Sequence, residues 1–110
     1  MFDMMNLLGK VKEVQAKLKQ AKENLVHLTA TGESGGGLVK ATVNGERKVI
    51  KLEMDPDIIK KEDQEILQDL TVAAINMALI NIEERIKEEM KKSTEGVLPN
   101  IPGFDLGNFM

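Results

Sequence analysis

Leu38-Val39-Lys40-Ala41-Thr42-Val43-Asn44-Gly45-Glu46-Arg47-Lys48-Val49-Ile50-Lys51-Leu52-Glu53-Met54 is the segment on which the fold turns. Val39, Ala41 and Val43 alternate with polar residues, the period of a half-buried strand. Asn44-Gly45 then gives the strongest short-range signal for a two-residue type I′ hairpin, because both central residues of that turn need positive φ. A third strand is expected over Glu46 to Met54. A two-residue loop would pair Val43 with Glu46 and Val39 with Ile50. That register puts Ile50, Leu52 and Met54 on the face that Val39 occupies.

Upstream, Glu33-Ser34-Gly35-Gly36-Gly37 reads as the turn before this strand, since glycine supplies positive φ. Val26 to Thr31 alternates again and predicts the first strand, with His27 on its surface. Before it, Met4, Leu7, Val11, Val14, Leu18, Ala21, Leu25 and Leu28 are spaced 3-4-3-4-3-4-3. This heptad seam predicts a long helix that packs lengthwise against another helix, with Glu13–Lys17 and Lys19–Glu23 supporting it at i, i+4.

Downstream, Asp55-Pro56-Asp57 ends the sheet, because proline has no N–H for a central ladder. A second long helix is expected to start near Glu62 or Asp63, where acids meet the free N–H groups of its first turn. From Leu67 to Ile82 it is apolar on most sides, which predicts burial by more than one neighbour. Beyond Ile82 the stripe narrows to Ile82, Ile86 and Met90. Glu83–Lys87, Arg85–Glu89 and Glu88–Lys92 at i, i+4 mark a solvated, projecting helix end. The expected organisation is one domain over residues 1–95 and an irregular Gly/Pro-containing tail over 96–110.

At 110 residues, 42% apolar and 30% charged, the chain is one ordinary globular unit. A domain of this size buries about two thirds of its unfolded surface, so pairing with a second copy would help it. The absence of cysteine removes disulfides, thiolate nucleophiles and Cys-ligated zinc. No Trp, no Tyr and three Phe leave little from which to build a base-stacking platform. The start, Met1-Phe2-Asp3-Met4-Met5-Asn6, does not read as a secretory signal, and the expectation is a cytoplasmic protein. The most apolar run, Thr71 to Ile82, falls short of the ~20 residues that span a bilayer, so no membrane is expected as a partner.

Candidate chemistry is sparse. Gly35-Gly36-Gly37 feeds a strand where a phosphate-binding loop feeds a helix, and it is better explained as a turn. His27 has neither a second His nor a nearby acid. Glu62, Asp63, Glu65 and Asp69, like Glu83, Glu84, Glu88 and Glu89, read as solvated helix faces. No cofactor, no metal and no catalysis are expected. Net charge is −3, with residues 1–30 at +2 and residues 61–95 at −4, so the basic segment is the first helix. Acidic chains are poor nucleic-acid binders, and lysines beside a seam commonly just cover it with their stems. Composition alone therefore ranks a protein-interaction module above a DNA binder.

Gly35 through Gly45, then Asp55-Pro56, Glu62-Asp63-Gln64-Glu65-Ile66-Leu67-Gln68-Asp69-Leu70 and Ala73-Ala74-Ile75-Asn76-Met77-Ala78-Leu79, resemble in order and spacing the YbaB/EbfC family of bacterial nucleoid-associated proteins. The resemblance covers roughly residues 4–92, and Asn100-Ile101-Pro102-Gly103-Phe104 is similar to endings common in that family. It implies an α+β fold: an α-β-β-β-α protomer with a three-stranded antiparallel sheet and two long helices, forming a tweezer-like homodimer. It also implies a non-enzymatic, nucleoid-associated protein that binds double-stranded DNA, alters its conformation and influences nucleoid organisation and gene expression. This reverses the ranking that composition gives. The DNA-contacting residues expected on that basis are Lys10, Lys12, Lys17, Lys19 and Lys22 of the first helix, doubled in a dimer. Arg85, Lys87, Lys91 and Lys92 of the second would contribute, and contacts would be mainly to the backbone. The alternative is a non-catalytic dimeric scaffold that binds a protein partner through apolar helix faces and the tail.

Overall fold

A computed structural model describes residues 4–93. The chain runs through helix α1 (Met4–Asn24), a 3₁₀ turn (Leu25–His27) and strands β1 (Thr29–Ser34), β2 (Val39–Asn44) and β3 (Val49–Met54). Two further 3₁₀ turns (Pro56–Ile58 and Lys61–Asp63) lead into helix α2 (Gln64–Ser93). This is the α-β-β-β-α order read from the sequence, an α+β protomer whose sheet is antiparallel in the order β1-β2-β3. The expected tail over 96–110 lies outside the described residues. Internal contacts divide the chain into a sheet unit, Leu25–Ile86, and a helical unit made of α1 with residues 87–93 of α2.

The sheet unit is built around β2. Val39, Ala41 and Val43 are fully buried, each valine contributing about 1.5–3 kcal/mol by leaving water. Ala30 from β1 and Ala74, Ala78, Ile82 and Ile86 from α2 complete the core. The small side chains are needed because α2 lies directly on β1. A Cβ on Gly32 would stand 2.3 Å from the Ala78 nitrogen and 2.4 Å from the Ala74 carbonyl oxygen. Side chains of α2 also bond to β1: the Asn81 amide donates to the Thr31 carbonyl at 2.8 Å, and the Arg85 guanidinium donates to the Thr29 carbonyl. No Gly or Pro falls between Gln64 and Ser93, which lets α2 run for 30 residues.

Between β1 and β2 the glycines act as expected. Gly35, Gly36 and Gly37 have φ of 62°, 67° and 97°, and the Gly37 N–H closes the turn on the Ser34 carbonyl at 3.2 Å. Asp55 ends the sheet by accepting from the Asp57 N–H at 2.9 Å, with Pro56 at the first turn position.

Four expectations need correction. Leu25–His27 is a 3₁₀ turn, so β1 starts at Thr29 and His27 precedes the strand. The β2–β3 loop is not a two-residue type I′ turn. Gly45 has no positive φ, and the left-handed residue is Arg47 at 63°. The Asn44 N–H bonds to the Lys48 carbonyl and the Arg47 N–H to the Asn44 carbonyl, a three-residue loop with its left-handed residue last. β3 therefore begins at Val49, not Glu46. Val43 faces Val49 and Val39 faces Met54, with a bulge between Thr42 and Val43. Val39's partner thus moves from Ile50 to Met54, an even step, and Leu52 and Met54 remain on the face read for them. The cause is Gly45, whose Cβ would lie 2.1 Å from the Leu25 carbonyl oxygen: it is glycine to admit the 3₁₀ turn.

The fourth correction concerns α2, which is not covered on most sides. Ala74 and Ala78 are buried, while Ile66, Val72, Met77 and Ile80 are 47–61% exposed. By length and composition it is apolar enough to cross a membrane, which the run of Thr71 to Ile82 alone did not suggest. In the helical unit, burial rises along the seam of α1. Met4, Leu7 and Val11 are exposed, Val14 and Leu18 half-buried, and Ala21 buried, as is Met90 of α2.

Candidate nucleic-acid interface

Helix α1 carries five lysines over about 18 Å of rise from Lys10 to Lys22. The seam spacing sorts them into two rows. Lys10 and Lys17 lie one heptad apart on one flank, and Lys12 and Lys19 on the other, with Lys22 close to the second row. Lys10, Lys12, Lys19 and Lys22 are exposed and Lys17 is half-buried. Lys19 and Lys22 border an open hollow along α1 together with Gln15, Leu18 and Glu23. Such stems lie on apolar surface while their ammonium groups stay in water, free to meet an anion.

Lys87, Lys91 and Lys92 are also exposed and belong to the same unit as α1. Lys91 and Lys92 sit in the last turn of α2, where they complement the negative end of the helix dipole. Arg85 is placed differently. It belongs to the sheet unit and its guanidinium is engaged with the Thr29 carbonyl. Glu83, expected to face Lys87, instead holds Arg47 of the β2–β3 loop in a two-pronged ion pair, with Nη2 to Oε2 at 3.2 Å. Glu83 raises the Arg47 pKa above its usual value chiefly through that hydrogen bond.

The division into units reveals what the charge by sequence thirds concealed. The described residues of the helical unit carry eight lysines against four glutamates, a formal +4. The sheet unit carries seven basic against eleven acidic residues, a formal −4. Asp3, Glu95 and Asp105 belong to the same unit and bring it to +1, so the basic character of this acidic chain is concentrated in α1, at +3. Among the described residues, no group of three or more His, Cys, Asp and Glu could hold a metal ion, and every buried side-chain nitrogen or oxygen has a hydrogen-bond partner.

Residues 1–97 match the YbaB/EbfC DNA-binding family. The chain belongs to that family. It is 41% identical over 102 residues to a nucleoid-associated protein of Thermoanaerobacter pseudethanolicus, covering 93% of this chain and 90% of the relative. A nucleoid-associated protein of Bartonella bacilliformis is 43% identical over 106 residues, 96% of this chain and 97% of its own. Among solved structures, an uncharacterized protein of Helicobacter pylori shares the fold with a TM-score of 0.64 and 27% identity, covering 80% of this chain and 92% of the other. The match to the YbaB/EbfC family takes in both helices and the whole sheet, so the lysines of α1 and those at the end of α2 fall inside it.

Proposed function

We propose that this YbaB/EbfC protein is a non-catalytic, cytoplasmic nucleoid-associated protein that binds duplex DNA as a homodimer, altering DNA conformation and influencing nucleoid organisation and gene expression. The observation that supports it best is the concentration of lysine on α1, five against two glutamates for a formal +3, while the sheet unit carries −4. Two copies would present two such helices to one duplex. Lys10, Lys12, Lys17, Lys19 and Lys22 bind phosphates, with Lys87, Lys91 and Lys92 adding to the field and Arg85 contributing least because it is held on Thr29. Contacts of this kind release counterions and carry little sequence information. The acidic sheet unit keeps the remainder of the protein off the backbone.

The test is fluorescence anisotropy of a labelled mixed-sequence duplex at about 50 and about 200 mM salt, between which six or more phosphate contacts cost roughly 10³-fold in affinity. The double substitution Lys12→Glu and Lys19→Glu removes one lysine row and should abolish binding. Binding as tight as the parent's would exclude α1 as the contact surface.

A second reading, a dimeric scaffold for a protein partner, draws on the exposed apolar side of α2 at Val72, Met77 and Ile80. It predicts that Met77→Glu releases a co-purifying protein while the DNA salt slope is unchanged.

A further inference from the structure

The chain has seven asparagines, and Asn44 alone is followed by glycine; the other six precede Leu, Met, Ile or Phe. Deamidation of asparagine begins when the backbone nitrogen of the next residue attacks the side-chain carbonyl carbon. A side chain on that next residue obstructs the approach, whereas glycine leaves it open and gives the backbone freedom to reach the reactive geometry. Asn44-Gly45 is therefore the place in this sequence where the reaction is intrinsically fastest.

In the fold the two reacting groups are held in opposite ways. The Asn44 Oδ1 accepts from the Glu46 N–H at 2.9 Å and the Lys48 N–H at 3.2 Å. Two donors on one carbonyl oxygen polarise it toward attack, as they do in an oxyanion hole. The nucleophile, by contrast, is withheld. The Gly45 N–H donates to the Leu28 carbonyl at 3.0 Å, and the side of Gly45 where a Cβ would stand is filled by Leu25. Leu28 is itself fixed by its N–H on the Leu25 carbonyl at 3.0 Å. Asn44 is 6% exposed, which keeps hydroxide and water from the carboxamide. The closure thus depends on residues 25–28, and of these only Leu25 is buried. A segment with so few buried side chains opens before the body of the sheet does.

We propose that Asn44 is a latent self-modification site that the segment 25–28 holds closed. When that segment lifts, the Gly45 nitrogen loses the Leu28 carbonyl and attacks Cγ of Asn44. The N–Cγ bond forms, the Cγ–Nδ2 bond breaks, and the amide nitrogen leaves as ammonia with the proton from Gly45, closing a succinimide. Water then opens the ring. Cleavage of the N–Cγ bond gives aspartate, whose carboxylate keeps an oxygen for the Glu46 and Lys48 N–H groups. Cleavage of the other N–C bond gives isoaspartate, whose main chain runs through Cβ and is one atom longer. The Asn44 carbonyl that accepts from the Arg47 N–H at 2.9 Å is then a free carboxylate off the main chain, and the loop that sets Val43 against Val49 cannot re-form. Chains that linger open are withdrawn from the folded pool at a rate set by the turn that follows α1.

Tryptic digestion and mass spectrometry follow Asn44 during incubation in mildly alkaline buffer, in the folded protein, in the urea-unfolded protein and in a synthetic peptide of residues 40–51. In the unfolded protein Asn44 should convert ahead of Asn76 and Asn81, which precede Met77 and Ile82. In the folded protein it should convert about 10³-fold or more slowly than in the peptide, equivalent to about 4 kcal/mol at 1.4 kcal/mol per tenfold. Folded-state conversion within about tenfold of the peptide's would overturn the closure. Hydrogen exchange reads the gate in the parent protein: the Leu28 and Gly45 amides should exchange together and before the Ala41 amide of β2. A Gly45 amide released only with that of Ala41 would assign the opening to the whole sheet and overturn the role of residues 25–28. Leu25→Ala removes the side chain packed against Gly45 and should quicken folded-state conversion about tenfold or more. An unchanged rate in a folded Leu25→Ala protein would count against the gate, and exchange in the parent decides the matter if that variant does not fold.

Discussion

Gly32→Ala adds one methyl group where the backbone of α2 touches β1. The new carbon would lie 2.3 Å from the Ala78 nitrogen, 2.4 Å from the Ala74 oxygen and 2.8 Å from the Met77 carbonyl carbon. All three are main-chain atoms and cannot rotate away, so the helix must retreat by about 1 Å to restore ordinary contact at 3.4 Å or more. That retreat stretches the Asn81–Thr31 bond from 2.8 Å to beyond hydrogen-bonding range and loosens Arg85 on Thr29. Overpacking costs about 1–3 kcal/mol and the two hydrogen bonds about 1 kcal/mol each, while replacing glycine in a strand returns about 0.5–1 kcal/mol. The expected loss is about 2–4 kcal/mol, against a total of roughly 5–15 kcal/mol for a domain of this size. Urea denaturation followed by far-UV circular dichroism, at one fixed protein concentration, reads this as a lower midpoint at unchanged slope. Gly36→Ala serves as the control: nothing lies within 4 Å of its Cβ, and it should cost only the left-handed φ of 67°, about 1–2 kcal/mol. A Gly32→Ala protein within 1 kcal/mol of the parent would refute the direct seating of α2 on β1.

Gly9 sits inside α1 with open space around its Cβ, so Gly9→Ala should raise stability by about 0.5–1 kcal/mol in thermal melts and leave the DNA salt slope alone. Arg47 combines a left-handed φ of 63° with an ion pair to Glu83 whose side chains are 44% and 42% exposed. Arg47→Ala keeps the strain and loses the pair, at a cost of no more than about 1 kcal/mol, whereas Arg47→Gly relieves the strain and should be close to neutral. If the glycine variant melts below the alanine one, the loop conformation is wrong.

The order of elements was legible because periodicity changes sharply along this chain, from the heptads of Met4 to Ala21 to the alternation of Val39 to Val43. What failed was the hairpin, and the failure has a cause far from the hairpin. Asn44-Gly45 carries a strong local signal, yet Gly45 is occupied from outside by the Leu25 carbonyl, and the Asn44 side chain accepts from the N–H groups of Glu46 and Lys48 instead of taking a left-handed backbone. Tertiary contact set the register and the local motif followed. The faces survived because the shift from Ile50 to Met54 is even. The lysines of α1 were identifiable one by one, but their grouping with Lys87, Lys91 and Lys92 was not, because the last residues of the continuous helix α2 belong by their contacts to the unit of α1. The all-round apolar pattern of α2 likewise misled, because Ile66, Val72, Met77 and Ile80 are exposed.

The bonds that seat α2 on β1 join residues far apart in the chain: Ser34 to Leu70, Thr31 to Asn81 and Thr29 to Arg85 are separated by 36, 50 and 56 positions. The meander, by contrast, joins only neighbours, and its last strand ends at Met54. Local hairpins close at small entropic cost and form early, whereas contacts of such long range form late. During synthesis the sheet is complete while the helix that covers Val39, Ala41 and Val43 is still being made. At roughly 5–20 residues per second, the stretch from Met54 to Ile86 leaves that apolar face open for about 2–6 s. The newly made chain thus passes through an interval in which a bare three-stranded sheet, with β3 unpaired at its edge, is the species that chaperones and neighbouring nascent chains encounter.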